Sequence, residues 1–126
     1  MRAVDTNVLV RIAARDDSAQ TEAAETFISG GAWVSHLVLV EFVWVMGSVY
    51  GLGSREIGRA IELLLNHEHL ALQDAPTVRL ALAALQKKPS LSFSDCMILE
   101  IARKAGHMPL GTFDAGLGRL QGAQKL

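Results

Sequence analysis

Apolar positions fall in short blocks along this chain, and the blocks alternate between strand-like and helix-like patterns. Residues 2–5 make a brief apolar run that ends in Asp5-Thr-Asn7, the pattern of a buried strand stopping at a helix cap. Val8 to Ala14 reads as helix. Asp16-Asp17-Ser18 starts a second helix that carries Ala23, Ala24, Phe27 and Ile28 inward, and Gly30-Gly31 ends it. Ala32 to Ser35 predicts a second strand, and Leu37 to Tyr50 an apolar helix stopped at Gly51. Ser54 is expected to cap a helix running to about Asn66, and His69 to Leu72 to form a third strand. Pro76 sits where a first helical turn accepts it, in a helix that runs to Lys87-Lys88-Pro89. Ser92-Phe-Ser94 leads into a helix through Lys104, closed by Gly106. Met108 to Leu110 predicts a fourth strand, Gly111 to Asp114 a loop, and the tail from Leu117 a weak edge strand.

Short strands alternating with helices imply an α/β fold with a parallel sheet covered on both faces. Neither linker, repeat nor low-complexity segment interrupts the pattern, so residues 1–126 read as a single domain. In such sheets ligands bind beyond the carboxyl ends of the strands. Asp5 and Asp114 both fall just past a predicted strand, Asp95 opens a helix, and Glu41 is expected to face inward from one, a placement that lets the four converge on one crevice.

Glu41 is the conspicuous member of that set. It is the only formal charge between Glu25 and Arg55, inside His36-Leu-Val-Leu-Val-Glu-Phe-Val-Trp-Val-Met46. A carboxylate in so apolar a run is expected to be shielded from water and to need a basic partner, a raised pKa or a cation. The stretch Gly31 to Leu52 is also long enough to weigh as a membrane helix. Gly30-Gly31, Gly51-Leu-Gly53 and the lack of N-terminal basic flanks favour a soluble strand and helix instead.

Composition narrows the chemistry. With 126 residues, 50% hydrophobic and 20% charged, the chain has an ordinary globular balance and room for a core. A net charge of −1 supplies no overall field for nucleic acid, so a nucleic-acid enzyme of this charge must rely on local basic patches and on its metal. The single cysteine, Cys96, excludes an internal disulfide and a CxxC zinc site, and suits a reducing cytoplasm. Asp5 and Arg11 interrupt any signal-peptide apolar region at the start.

Asp5, Glu41, Asp95 and Asp114 together suggest a divalent-metal site. Hard cations such as Mg²⁺, or Mn²⁺ as the alternative, take oxygen ligands, and crowded carboxylates repel until a cation joins them. Such a cation orients water and stabilises charge on a phosphoryl oxygen, which is chemistry for phosphodiester hydrolysis. Each acid also has a plain reading: Asp5 and Asp95 as helix caps, Asp114 as a turn residue, Glu41 as the partner of an arginine such as Arg11. Asn7 reads as a supporting amide or a helix-start residue, and Thr112 as a supporting hydroxyl or a turn hydroxyl. Glu100, five residues after Asp95, points about 140° away around the helix, toward the surface or another subunit. The histidines at 36, 67, 69 and 107 show no metal spacing, and Cys96 reads as a small buried hydrophobe. Arg55, Arg59, Arg79, Lys87 and Lys88 read as solvated faces, some of them open to phosphate.

Taken in order, Asp5-Thr-Asn7-Val-Leu-Val, Glu41 in its apolar helix, Phe93-Ser-Asp95 and Thr112-Phe-Asp114 resemble the PIN-domain family over essentially the whole chain. Arg103 to Asp114 is particularly similar to VapC-type toxins of bacterial toxin–antitoxin pairs. The resemblance implies a three-layer α/β/α sandwich around a central parallel sheet of about five strands. It implies Mg²⁺- or Mn²⁺-dependent endoribonuclease activity, with Asp5, Glu41, Asp95 and Asp114 as metal-site acids and Asn7 and Thr112 in support. It also implies a cytoplasmic homodimer, inhibition of translation, no membrane, and a small VapB-type antitoxin whose tail blocks the acidic cleft. Two departures stand out: Ser92-Phe-Ser supplies no further acid ahead of Asp95, and Ala115-Gly116 replaces the Arg-Asp that many relatives carry after Phe-Asp. They motivate an alternative, a module of the same fold that binds a cation and an antitoxin tail with little catalysis. A phosphoaspartyl enzyme of the haloacid-dehalogenase type needs a second acid where Asn7 stands, and a receiver domain needs an adjacent acid pair after its first strand.

Overall fold

Polar side chains set where most of the helices begin. In the computed structural model, which describes residues 1–126, α1 (Thr6–Ala14) is capped by Asp5, α2 (Ser18–Ile28) by Asp17 and α3 (His36–Ser48) by Ser35, each through a side-chain oxygen that accepts an amide hydrogen. α4 (Ser54–Leu65) starts one residue earlier than a Ser54 cap implies. Gly53 holds the cap position, and its amide donates to Glu56 Oε1 at 3.3 Å. α5 spans Ala75–Lys87 with Pro76 in its first turn, and α6 spans Phe93–Ala105 and closes at Gly106, whose φ of 84° suits a residue without a Cβ.

The chain forms two compact units, Met1–Ala75 and Pro76–Leu126. In the first, β1 (Arg2–Ala3), β2 (Ala32–Val34) and β3 (Leu70–Leu72) make a parallel sheet in the order β1-β2-β3. Arg2 stands opposite Ala32, and Ala32 opposite Leu70. Leu9, Val10, Ala24, Ile28, Val34, Leu39, Phe42, Ile61 and Leu64 form its buried interior. The inward face of α2 is Thr21, Ala24 and Ile28 rather than the expected Ala23 and Phe27. Ala23 is exposed, and the Phe27 ring lies half-buried under the Arg2 guanidinium, 3.8 Å from carbon to ring centre.

In the second unit, β4 (Leu110–Thr112) and β5 (Ala123–Lys125) pair in parallel, with a 3₁₀ turn at Leu117–Arg119 between them. The fourth strand therefore lies two residues later than Met108–Leu110. Pro109 has no amide hydrogen to give a ladder, and pairing starts at Leu110, whose amide donates to the Gly122 carbonyl at 2.9 Å. Val78, Ala81, Leu82, Leu85, Phe93, Cys96, Met97 and Leu99 are buried here. Six helices and five parallel-paired strands give the α/β fold the pattern implies, with the strands divided three and two between sheets. No helix is long and apolar enough to cross a membrane.

Candidate functional site

Asp5 sits in extended backbone just past β1, and its Oδ1 accepts from the Val8 amide at 3.3 Å. The capping role is thus real, and it engages one carboxylate oxygen of an exposed side chain. The next residue, Thr6, is buried at 7% exposure, and its hydroxyl donates to Oε1 of Glu41 across the α1–α3 packing. Asp5 and Glu41 are thereby tied to a single hydroxyl-bearing turn of α1.

Glu41 itself is exposed, which corrects the expectation of a carboxylate cut off from water. A lack of neighbouring charges is not the same as burial. α3 buries Leu39, Phe42 and Met46, and turns Leu37 (78% exposed), Glu41 and Trp44 (67% exposed) outward at helical spacing. Arg11 pairs with Asp16 rather than with Glu41, its Nη1 2.7 Å from Asp16 Oδ1. Asn7 is exposed in the first turn of α1 and lines a groove of about 290 Å³ with Val8, Arg11, Gln20 and Phe27. The hydroxyl that meets Glu41 belongs to Thr6, the middle residue of Asp5-Thr-Asn7, for which the sequence predicts no role.

In the second unit, Ser92 caps α6, with its Oγ accepting from the Asp95 amide at 3.1 Å and lying 3.2 Å from Ser94 Oγ. The capping explanation for Asp95 is therefore taken by Ser92. The half-buried Asp95 carboxylate lies in the first turn of α6, where the partial positive charge of the helix end favours an anion. It also leaves a mark on its neighbour. Burial, then Asp95, then Glu100 push the Cys96 thiol up to about 11. A protonated, buried thiol is neither nucleophile nor metal ligand, in keeping with its reading as a small hydrophobe. Glu100 pairs along its own helix with Arg103 at 3.4 Å.

Thr112 ends β4, and its hydroxyl accepts from the Asp114 amide at 3.0 Å. Asp114 Oδ2 accepts from the Leu117 amide at 2.7 Å, and its carbonyl from the Gly118 amide at 2.9 Å. The turn reading of both residues holds, and the cap engages one oxygen of the exposed Asp114 carboxylate. At Gly116 a Cβ would stand 3.3 Å from Asp114 Oδ2, so a side chain there requires the carboxylate to give way by a few tenths of an ångström.

Each unit thus presents two acids, Asp5 at a helix start and Glu41 within α3 in the first, Asp95 at a helix start and Asp114 in a turn in the second. No group of three or more histidine, cysteine, aspartate or glutamate side chains is arranged to hold a metal ion. Within each unit the pair of acids offers oxygen donors only, the ligand type that Mg²⁺ and Mn²⁺ take.

The chain matches the PIN domain family over residues 2–123 and belongs to it. PIN domains are typically metal-dependent nucleases, and the family generally uses divalent metals. Comparison with curated proteins and with solved structures gave no match.

Proposed function

We propose that this PIN domain is a metal-dependent endoribonuclease and the toxin of a VapBC-type toxin–antitoxin pair, in which all 126 residues work as one catalytic domain. Asp5, Glu41, Asp95 and Asp114 hold Mg²⁺ or Mn²⁺, with Asn7 and Thr112 in support. The cation would supply charge stabilisation at the phosphoryl oxygens and a water of lowered pKa. The protein acts in the cytoplasm as a homodimer, cleaves RNA to stop translation, and is restrained by a VapB-type antitoxin.

The observation that carries this reading is the buried Thr6 hydroxyl on the exposed Glu41 carboxylate. Glu41 reaches solvent yet is fixed from below, and the fixing residue adjoins Asp5. An exposed glutamate with only a solubility role has no use for a buried donor. A metal ligand does, since an oriented carboxylate binds with less ordering cost. Purified protein with Mn²⁺ should cleave total cellular RNA, and Asp5→Asn and Asp95→Asn should each abolish that cleavage. Equal cleavage by the variants would refute the assignment and mark a contaminating nuclease.

A further inference from the structure

Beyond Glu41, α3 ends in a corner that is tied back to α1 a second time. The Tyr50 hydroxyl donates to Asp16 Oδ2 at 2.8 Å, and Arg11 of α1 donates to Asp16 Oδ1 at 2.7 Å. Both oxygens of Asp16 are therefore committed, while its neighbour Asp17 is committed separately to the Gln20 amide at 3.0 Å. The corner moves with α3, because the Leu52 amide donates to the Met46 carbonyl at 3.0 Å and the Val49 amide to the Val45 carbonyl at 2.8 Å. On the other side, Arg15 leaves α1 with a φ of 53° and its amide on the Arg11 carbonyl at 3.0 Å, which turns the chain at once into Asp16.

α1 and α3 are thus joined by polar contacts at two levels, Thr6 with Glu41 and Asp16 with Tyr50, in the same chain direction. The levels are nine residues apart in sequence, Glu41 within α3 and Tyr50 two residues past its last residue, Ser48. The two helices pack together, and each buries apolar side chains, Leu9 and Val10 on α1 and Leu39, Phe42 and Met46 on α3. The hydrophobic driving force is non-directional, whereas hydrogen bonds are directional, so one at each end adds a constraint on slide and rotation. A shift of the corner would rotate α3 and carry the Glu41 carboxylate off the Thr6 hydroxyl.

We propose that Tyr50, acting through Asp16, is a positioning residue for Glu41, holding α3 in register with α1. This rests on the assignment of Glu41 as a metal ligand. The test is a double-mutant cycle of Tyr50→Phe and Thr6→Val, read as Mn²⁺ affinity by calorimetry on the full chain, with melting temperature recorded for each protein. Tyr50→Phe should weaken Mn²⁺ binding roughly 10-fold, the lower end of the usual loss for outer-shell partners. In the Thr6→Val background, where Glu41 is already unmoored, the loss should shrink to about 2-fold or less. Asp16→Ala should weaken binding as Tyr50→Phe does, and combining those two should add little. A Tyr50→Phe protein that melts lower but binds Mn²⁺ as the wild type does would overturn the proposal, and so would fully additive losses with Thr6→Val. Glu41→Gln is the control for the underlying assignment: unchanged Mn²⁺ affinity in that variant removes the metal reading itself, whatever Tyr50 does.

Discussion

The buried hydroxyl of Thr6 donates to the exposed carboxylate of Glu41 and joins the first turn of α1 to the middle of α3. A Thr6→Val substitution keeps the shape and removes the donor. It should cost about 1 kcal/mol of stability and weaken Mn²⁺ binding about 10-fold. Thermal melting and calorimetry check the two parts separately.

Exposure of Glu41 changes what its own substitution should do. A carboxylate that already reaches water gains little from losing its charge, so Glu41→Gln should leave the folding free energy within about 0.5 kcal/mol of wild type. Mn²⁺ affinity and RNA cleavage should both collapse. Chemical denaturation without metal, beside a cleavage assay with it, gives both readings; a large loss of stability would contradict the solvent-facing placement.

Cys96 supplies a pH dependence with a definite sign. Its thiol in the folded protein is held up at about 11, above the ordinary value of 9.0, by burial first and then by Asp95 and Glu100. The unfolded chain therefore releases its proton at lower pH than the folded one. Stability from this group is intact below pH 9, falls as pH rises through the interval, and is gone above about 11. Cys96→Ala should flatten that part of an alkaline denaturation profile.

At Gly116 the backbone is ordinary, with φ of −67°, so only space is at stake. Gly116→Ala should fold normally but push the Asp114 carboxylate away from its bond to the Leu117 amide. The expected result is a cleavage rate reduced several-fold with a melting temperature close to wild type. An unchanged rate would show that this carboxylate rotamer does not matter.

Much of the fold was legible because the helix boundaries are written in side chains that meet free amides. Asp5, Asp17 and Ser92 all stand where their residue types predict a helix start. The two-residue displacement of β4 follows from the amide that Pro109 lacks, and the wrong inward face on α2 from a local partner, since Phe27 is drawn to Arg2. The error at Glu41 has a different origin. Sequence spacing reports the absence of other charges on α3, but not which side of that helix the rest of the unit leaves uncovered. Likewise the roles of Thr6 and Ser92 depend on which donor and acceptor the fold brings together, and composition carries no trace of that.

The proposed nuclease requires all four acids, Asp5, Glu41, Asp95 and Asp114, for one cation-dependent reaction. Cleavage of total RNA with Mn²⁺ by four single variants, Asp5→Asn, Glu41→Gln, Asp95→Asn and Asp114→Asn, tests it most directly. Each should lose at least about 100-fold in rate, or roughly 2.7 kcal/mol of transition-state stabilisation, with its fold intact by circular dichroism. Wild-type rates in both variants of either unit would contradict the account, because the reaction would then need only one pair of acids.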